Sequence, residues 1–255
     1  MTYEPIGVDF ALVATFLFFG FFVCLIFYLR REDRREGFPL EEDDSGRMQS
    51  EGGFLFIADA KTFILPFGRG IVLAPNGQRD RRPPAAKRTS VVPGSPSDPV
   101  GNPMTAGVGP GSFAERAKVP DLTAHGHPRI VPLRVAPDFA VASGDGDPRG
   151  FAVLGTDSKR AGSIKDLWVD RGESMVRYLE VELASGQIAL LPITMALIDK
   201  RRKTVTVDAI TAAQFIDVPK LENPNQITFD EEERVVAYYG AGFLYATPAR
   251  LEPLI

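Results

Sequence analysis

No charged residue occurs between Asp9 and Arg30, and the stretch between them constrains this chain more than any other feature. Phe10–Leu29 is 20 residues long and holds seven phenylalanines. As a helix it would extend ~30 Å, the thickness of a bilayer's hydrocarbon core. Its polar members, Thr15, Cys24 and Tyr28, are mild. Apolar side chains surround the whole cylinder, unlike the one-sided stripe of a surface helix. The alternatives are a core helix of a soluble protein and a cleaved leader. A leader needs a basic start, a shorter apolar region and a small-residue cleavage site. Here Glu4 and Asp9 come before the run, and Arg30-Arg31-Glu32-Asp33-Arg34-Arg35 comes after it. The run is read as an uncleaved membrane anchor.

The basic residues set the expected orientation. No Lys or Arg precedes the run, and Arg30, Arg31, Arg34 and Arg35 follow at once. The positive-inside rule then puts the N-terminus outside and residues 30–255 in the cytoplasm. The four arginines can pair with anionic lipid headgroups, at ~1 kcal/mol each near the surface. The rest of the chain is expected to form a cytoplasmic body tethered by one helix.

Composition narrows that body's chemistry. Lys plus Arg is 29 and Asp plus Glu is 33, a net charge of −4, without the basic excess of a non-specific nucleic-acid binder. The single cysteine, Cys24, lies in the apolar run, which excludes a disulfide framework or a cysteine zinc cluster. Two histidines leave little room for a multi-histidine metal centre. More than half of the 24 glycines and 21 prolines fall between Pro66 and Gly150, so the middle should be loop-rich.

Residues 41–53 read as an exposed acidic, then glycine-rich connector. Thr62–Leu65 and Ile71–Ala74 are short strand candidates, the second closed by Pro75 and the Asn76-Gly77 turn signal. Residues 78–120 lack periodic apolar pattern and read either as disordered or as an ordered coat lying over another protein, the Val, Phe and Met among them favouring the coat. The cluster Arg79, Arg81, Arg82, Lys87 and Arg88 is either solvated or faces lipid headgroups. From Ile130 the pattern changes to strands: Ile130–Val135, Phe151–Leu154, Ser163–Val169 with the lone Trp168, Val176–Leu183, and Ile188–Ile193. Lys200–Lys203 reads as a hairpin tip between Met195–Ile198 and Thr204–Asp208. Short strands joined by tight turns suggest a small antiparallel barrel. Thr211 and Gln214 form a capping box before Phe215. A last helix is expected to begin at Asp230, with Glu233 three residues on. It would bury Val235, Val236 and Tyr239 and end at Gly240 and Gly242.

Motifs for an independent active site are absent. There is no P-loop, no GxGxxG opening a helix, and no Gly-x-Ser-x-Gly. Gly107-Val108-Gly109-Pro110-Gly111 lacks the Lys-Ser/Thr of a phosphate cradle. Both histidines lie in Thr123-Ala124-His125-Gly126-His127-Pro128. In an extended segment residues i and i+2 point the same way. Imidazoles ordinarily titrate near ~6.5, so such a pair could exchange protons at neutral pH. With an added carboxylate it could hold a transition metal. The bland alternative is two solvated loop histidines. Asp170 and Glu173 flank Arg171-Gly172, with Arg177 beyond. They read either as turn chemistry and surface pairing or as a partly buried acid cluster relaying protons.

Several ordered segments together resemble the H chain of the photosynthetic reaction centre of purple bacteria, over essentially the whole length. They are Tyr28–Leu40 (YLRREDRREGFPL), Lys61–Pro66 (KTFILP), Gly101–Met104 (GNPM) and Val108–Ser112 (VGPGS), then Asp166–Asp170 (DLWVD), Tyr178–Leu183 (YLEVEL) and Ala241–Ala246 (AGFLYA). Residues 130–208 also resemble a PRC-barrel. The resemblance implies a single N-terminal transmembrane α-helix plus a mainly β cytoplasmic domain. That domain would be a small antiparallel PRC-type barrel with a long loop-rich segment and a short C-terminal helix. The expected parts are an extracytoplasmic tail (1–9), the span (10–29), a loop-rich segment (30–129), the barrel (130–210) and a C-terminal helical segment (211–255).

The resemblance further implies a non-catalytic, pigment-free subunit that caps the L and M chains. Those partners would carry bacteriochlorophyll, bacteriopheophytin, quinones, non-haem iron and carotenoid. A cytochrome subunit and light-harvesting antenna would belong to the same complex, in the bacterial inner photosynthetic membrane. Membrane lipids are further partners, and nucleic acid is not. The cap would shield the quinone sites and pass protons from the cytoplasm to the secondary quinone. His125, His127 and Asp121 would then take up protons, the histidines also binding a transition metal. Asp170, Glu173 and Arg177 would lead inward. Two positions depart from the family: Thr123 stands where some members have an acid, and Phe38 replaces a common tyrosine. The alternative function is a membrane-tethered PRC-barrel adaptor for another complex, with no proton role.

Overall fold

The computed structural model describes residues 7, 9–35, 38, 40, 42, 47, 59–76, 82–92 and 95–251. Most of the expected connector at 41–53, together with Gly77, Arg79 and Arg81, lies outside them. The chain divides into two compact units. The first holds helix α1 (Phe10–Glu32) and a two-stranded hairpin, β1 (Lys61–Ile64) with β2 (Ile71–Ala74). At 23 residues α1 is ~34 Å long, and none of its side chains is buried. Its start is set by Asp9, whose carboxylate accepts hydrogen bonds from the backbone N–H groups of Ala11 (2.9 Å) and Leu12 (3.1 Å). Thr15 donates to the Ala11 carbonyl at 2.8 Å, so its hydroxyl is satisfied along the helix. Among the described residues this is the one helix long and apolar enough to cross a membrane.

The second unit begins with a small hairpin, β3 (Ala86–Arg88) with β4 (Ser97–Pro99). Its main feature is a seven-stranded sheet. The strands are β5 (Ile130–Pro132), β6 (Ala152–Leu154), β7 (Arg160–Asp170), β8 (Met175–Leu183), β9 (Ile188–Pro192), β10 (Leu197–Asp199) and β11 (Thr204–Thr206). The order is β10-β11-β6-β7-β8-β9, and β5 pairs with β7. Every pairing is antiparallel except β11 with β6, which is parallel. The expected strand at 130–135 stops at Pro132, where residues 133–135 turn in a 3₁₀ helix. The expected strand at 163–169 is longer at both ends. Trp168, Leu179, Leu191, Val205 and Phe215 are among the side chains at the centre of the core. The Thr211 and Gln214 cap is present, the Thr211 N–H reaching Gln214 Oε1 at 2.8 Å.

The closing helix differs from the expectation in both ends. Helix α2 runs Phe229–Tyr245, one residue earlier than expected, and its N-cap is Thr228. Thr228 N–H and hydroxyl both reach Glu231 Oε2 at 2.8 Å, and Glu231 N–H returns to Thr228 Oγ1 at 3.2 Å. Gly240 and Gly242 lie inside the helix rather than ending it. They are there for close approach: a Cβ on Gly242 would sit 2.2 Å from the Ala209 carbonyl, and one on Gly240 2.5 Å from the Pro110 carbonyl. Val235 and Tyr239 are buried as expected, but Val236 is 43% exposed. The glycine-rich stretch at 109–111 is therefore a short turn packed on α2, and Phe113 follows between two cations. Arg82 and Arg234 each stand 4.6 Å from its ring centre. Part of the segment expected to coat another protein thus covers this chain's own helix.

Candidate functional site

A cleft of about 870 Å³ opens where the β7–β8 turn, the segment before β5 and the start of α2 meet. Antiparallel pairing of β5 on β7 puts Ile130 opposite Asp170. Arg129, one residue earlier, therefore reaches the β7–β8 turn. Its Nε donates to Asp170 Oδ1 at 2.8 Å, Nη2 to Glu173 Oε1 at 2.7 Å, and Nη1 to Asp121 Oδ2 at 3.3 Å. Asp121 is positioned by its own carbonyl, which accepts the Arg129 N–H at 2.8 Å. Three acids from two separate stretches of chain thus share one guanidinium. The sequence singled out those acids and missed Arg129, because a lone arginine before a strand carries no local signal.

Asp170 is 2% exposed. Burial pushes its pKa up, but Arg129 and the backbone N–H groups of Glu173 and Gly172 outweigh that and hold it below the ordinary carboxylate range. Its Oδ1 accepts from Gly172 at 2.8 Å and Glu173 at 3.1 Å, so it also ties the turn. The turn reading and the acid-cluster reading of this residue therefore both describe its geometry. Arg177 lines the same cleft, as does Tyr178 beside it on β8. The Tyr178 hydroxyl donates to Glu232 Oε2 at 2.9 Å, from the first turn of α2. Glu232 was not foreseen, since a run of four acids, Asp230–Glu233, at a helix start ordinarily serves the helix dipole.

The histidines lie outside the residues lining the cleft. Both are exposed. Residues 123–127 are a tight turn, with Thr123 N–H on the His127 carbonyl (2.8 Å) and Gly126 N–H on the Thr123 carbonyl (2.9 Å). The segment is therefore not the extended one expected, which would have set both imidazoles on one side. Thr123 Oγ1 accepts the backbone N–H groups of His125 (3.4 Å) and His127 (3.3 Å), so the hydroxyl serves as the turn's local acceptor. No group of three His, Cys, Asp or Glu that could hold a metal occurs among the described residues. His125 and His127 by themselves are two ligands, which is not a complete metal site from this chain.

At the end of α1 the arginines have protein partners. Arg35 donates to Glu32 through Nε and Nη2, both at 2.9 Å, and through Nη1 to the Ala74 carbonyl at 2.9 Å and the Asp59 carbonyl. Lys61 joins Glu32 at 2.7 Å. Arg35 thereby pins β1–β2 to the helix end. Arg31 pairs with Asp59 at 3.0 Å, and Arg30 lies 3.7 Å from Asp33 with more than half its side chain exposed. Surface pairs of this kind are weak and exchangeable.

Residues 6–135 match the photosynthetic reaction centre H-chain N-terminal region, just over half of the chain. The chain belongs to the photosynthetic reaction centre H-chain family. A second match, to the PRC-barrel domain, covers residues 142–214. As a reaction-centre H chain it is a non-catalytic subunit of that complex. The apolar helix α1 fits a single-pass anchor, and the seven-stranded sheet carries the PRC-barrel.

Proposed function

We propose that this H chain caps the L and M chains of the reaction centre on the cytoplasmic side. In this reading it stabilises their quinone sites and helps deliver protons to the secondary quinone. Helix α1 anchors it with the N-terminus outside, and Arg30, Arg31, Arg34 and Arg35 mark the cytoplasmic interface. The pigments, quinones and iron belong to the partner chains. The observation that carries the proton reading is the cleft itself. Asp170, Glu173 and Arg177, expected as path residues, and Asp121, expected at the entry, all line it. A cavity lined by this many ionisable side chains favours water, and water with titrating groups conducts protons. His125 and His127, exposed on the turn just after Asp121, serve as groups that collect protons from the cytoplasm.

The test uses the intact complex. The tagged chain, purified from native membranes in mild detergent, should bring near-infrared pigment bands that bleach reversibly in light. Pigment-free material with intact chain would favour the adaptor alternative. In the assembled complex, the double variant His125→Ala, His127→Ala should slow the proton-coupled second electron transfer to the quinone several-fold. Primary charge separation should be untouched. Unaltered second-electron rates between about pH 6 and 9 would remove the histidines from the path. Glu173→Gln should slow the same step; wild-type kinetics there would leave Glu173 a structural partner of Arg129.

A further inference from the structure

Five carboxylates line the cleft: Asp121, Asp170, Glu173, Glu232 and Glu233. They are not equivalent. The first three meet the Arg129 guanidinium. Glu233 meets a different cation, 3.6 Å from Arg116, and accepts the Ala114 N–H at 3.3 Å. Glu232 is held differently, by the neutral hydroxyl of Tyr178 at 2.9 Å. A carboxylate clasped by a guanidinium resists protonation, because gaining a proton forfeits a charge-assisted hydrogen bond. One held by a phenol forfeits less.

We propose that Glu232, held by the Tyr178 hydroxyl, is the station of this cleft that takes up and releases a proton, while Asp170 remains a fixed anion. The inference rests on the proton-delivery reading above and names the residue that performs it. Glu232 accepts a proton from water on a carboxylate oxygen and later returns it to water farther in. Tyr178 keeps its own proton throughout, since burial and the neighbouring Glu232 push its pKa well up.

The groups around Glu232 pull in both directions. Burial raises its pKa, and the like charges of Asp121 and Asp170 raise it further. The Tyr178 hydrogen bond and the charge of Arg177 on β8 lower it. The N-terminal turn of α2, where Glu232 sits, also favours the ionised form. The balance leaves it above the ordinary glutamate range. That is the direction a carboxylate must move to exchange protons near neutral pH. Asp170 moves the opposite way.

Light-minus-dark infrared spectroscopy on the intact complex tests this directly. The wild type should show a protonated-carboxyl band whose amplitude follows pH, and Glu232→Gln should abolish it and slow the second electron several-fold. Tyr178→Phe removes a hydrogen bond to the ionised form, so the band should remain and its midpoint should move to higher pH. A merely structural role for the pair would not move that midpoint. A band that survives Glu232→Gln, or a midpoint unmoved in Tyr178→Phe, would overturn the proposal. Wild-type rates in Glu232→Gln alongside slowed rates in Glu173→Gln and the histidine variant would sink this inference and leave the wider reading standing. Wild-type rates in all of them would sink both.

Discussion

Replacing Arg129 with methionine is expected to destabilise the folded body by about 3 kcal/mol at neutral pH. Removing one partner of a buried ion pair costs ~3–5 kcal/mol, because the other charge stays behind unpaired. The lower end applies, since the Arg129 side chain is 28% exposed and water screens part of the loss. Asp170 carries most of the penalty: at 2% exposure it cannot rehydrate. Glu173 is half exposed and loses little. The pH dependence has a definite sign. Asp170's folded pKa is depressed, so its stabilising share is present above the unfolded carboxylate pKa and fades as pH falls through the folded value. In Arg129→Met the arginine's share of that depression goes, and burial is opposed only by the Glu173 and Gly172 N–H groups. The gap between variant and wild type should therefore be largest near pH 7 and shrink below about pH 4. Urea titrations of the detergent-solubilised chain, followed by circular dichroism at both pH values, would measure it. A gap that does not narrow in acid would mean that the penalty is packing rather than charge.

Trp168→Ala should cost still more, ~3–5 kcal/mol, the usual loss for truncating a buried aromatic. Trp168 is 1% exposed at the centre of the sheet. Its Nε1 donates to Glu180 Oε2 at 2.9 Å, and Glu180 is itself only 3% exposed. The truncation therefore opens a cavity and also takes a donor from a buried carboxylate. Arg134, 2.7 Å from Glu180 and 3.1 Å from Asp166, keeps that acid paired. Trp168→Phe retains most of the packing and loses the N–H, so it should cost about 1–3 kcal/mol. Because Trp168 is the chain's one tryptophan, the unfolding signal must be circular dichroism rather than indole fluorescence. Equal losses in the two variants would place the whole effect on the Glu180 hydrogen bond.

The helix at the start needed no tertiary information. Twenty uncharged residues with apolar side chains all round specify a helix long and apolar enough to span a membrane from local chemistry alone. Strands with strict alternation, such as Tyr178–Leu183, and the Thr211 and Gln214 cap were legible for the same reason: each signal is complete within a few residues. The start of α2 was misread because Thr228 with Glu231 and Asp230 with Glu233 have the same spacing. What decides between them is how Thr228 is held, by a bridge to Pro120 more than a hundred residues away. Gly240 and Gly242 looked like terminators, yet they admit neighbouring carbonyls that no local pattern announces.

The same division runs through the site. The amino-acid sequence alone pointed to an H-chain type of protein with an apolar N-terminal helix long enough to span a membrane and a β body, and it picked out Asp121, Asp170, Glu173 and Arg177. Only the tertiary structure decided that three of those acids answer to one arginine, that the histidines ride on a turn, and that Glu232 meets Tyr178. Periodicity and capping are written in neighbouring residues, because backbone geometry repeats every few positions. The charge a carboxylate carries depends on which cations, phenols and water surround it, and here those arrive from three separate stretches of chain.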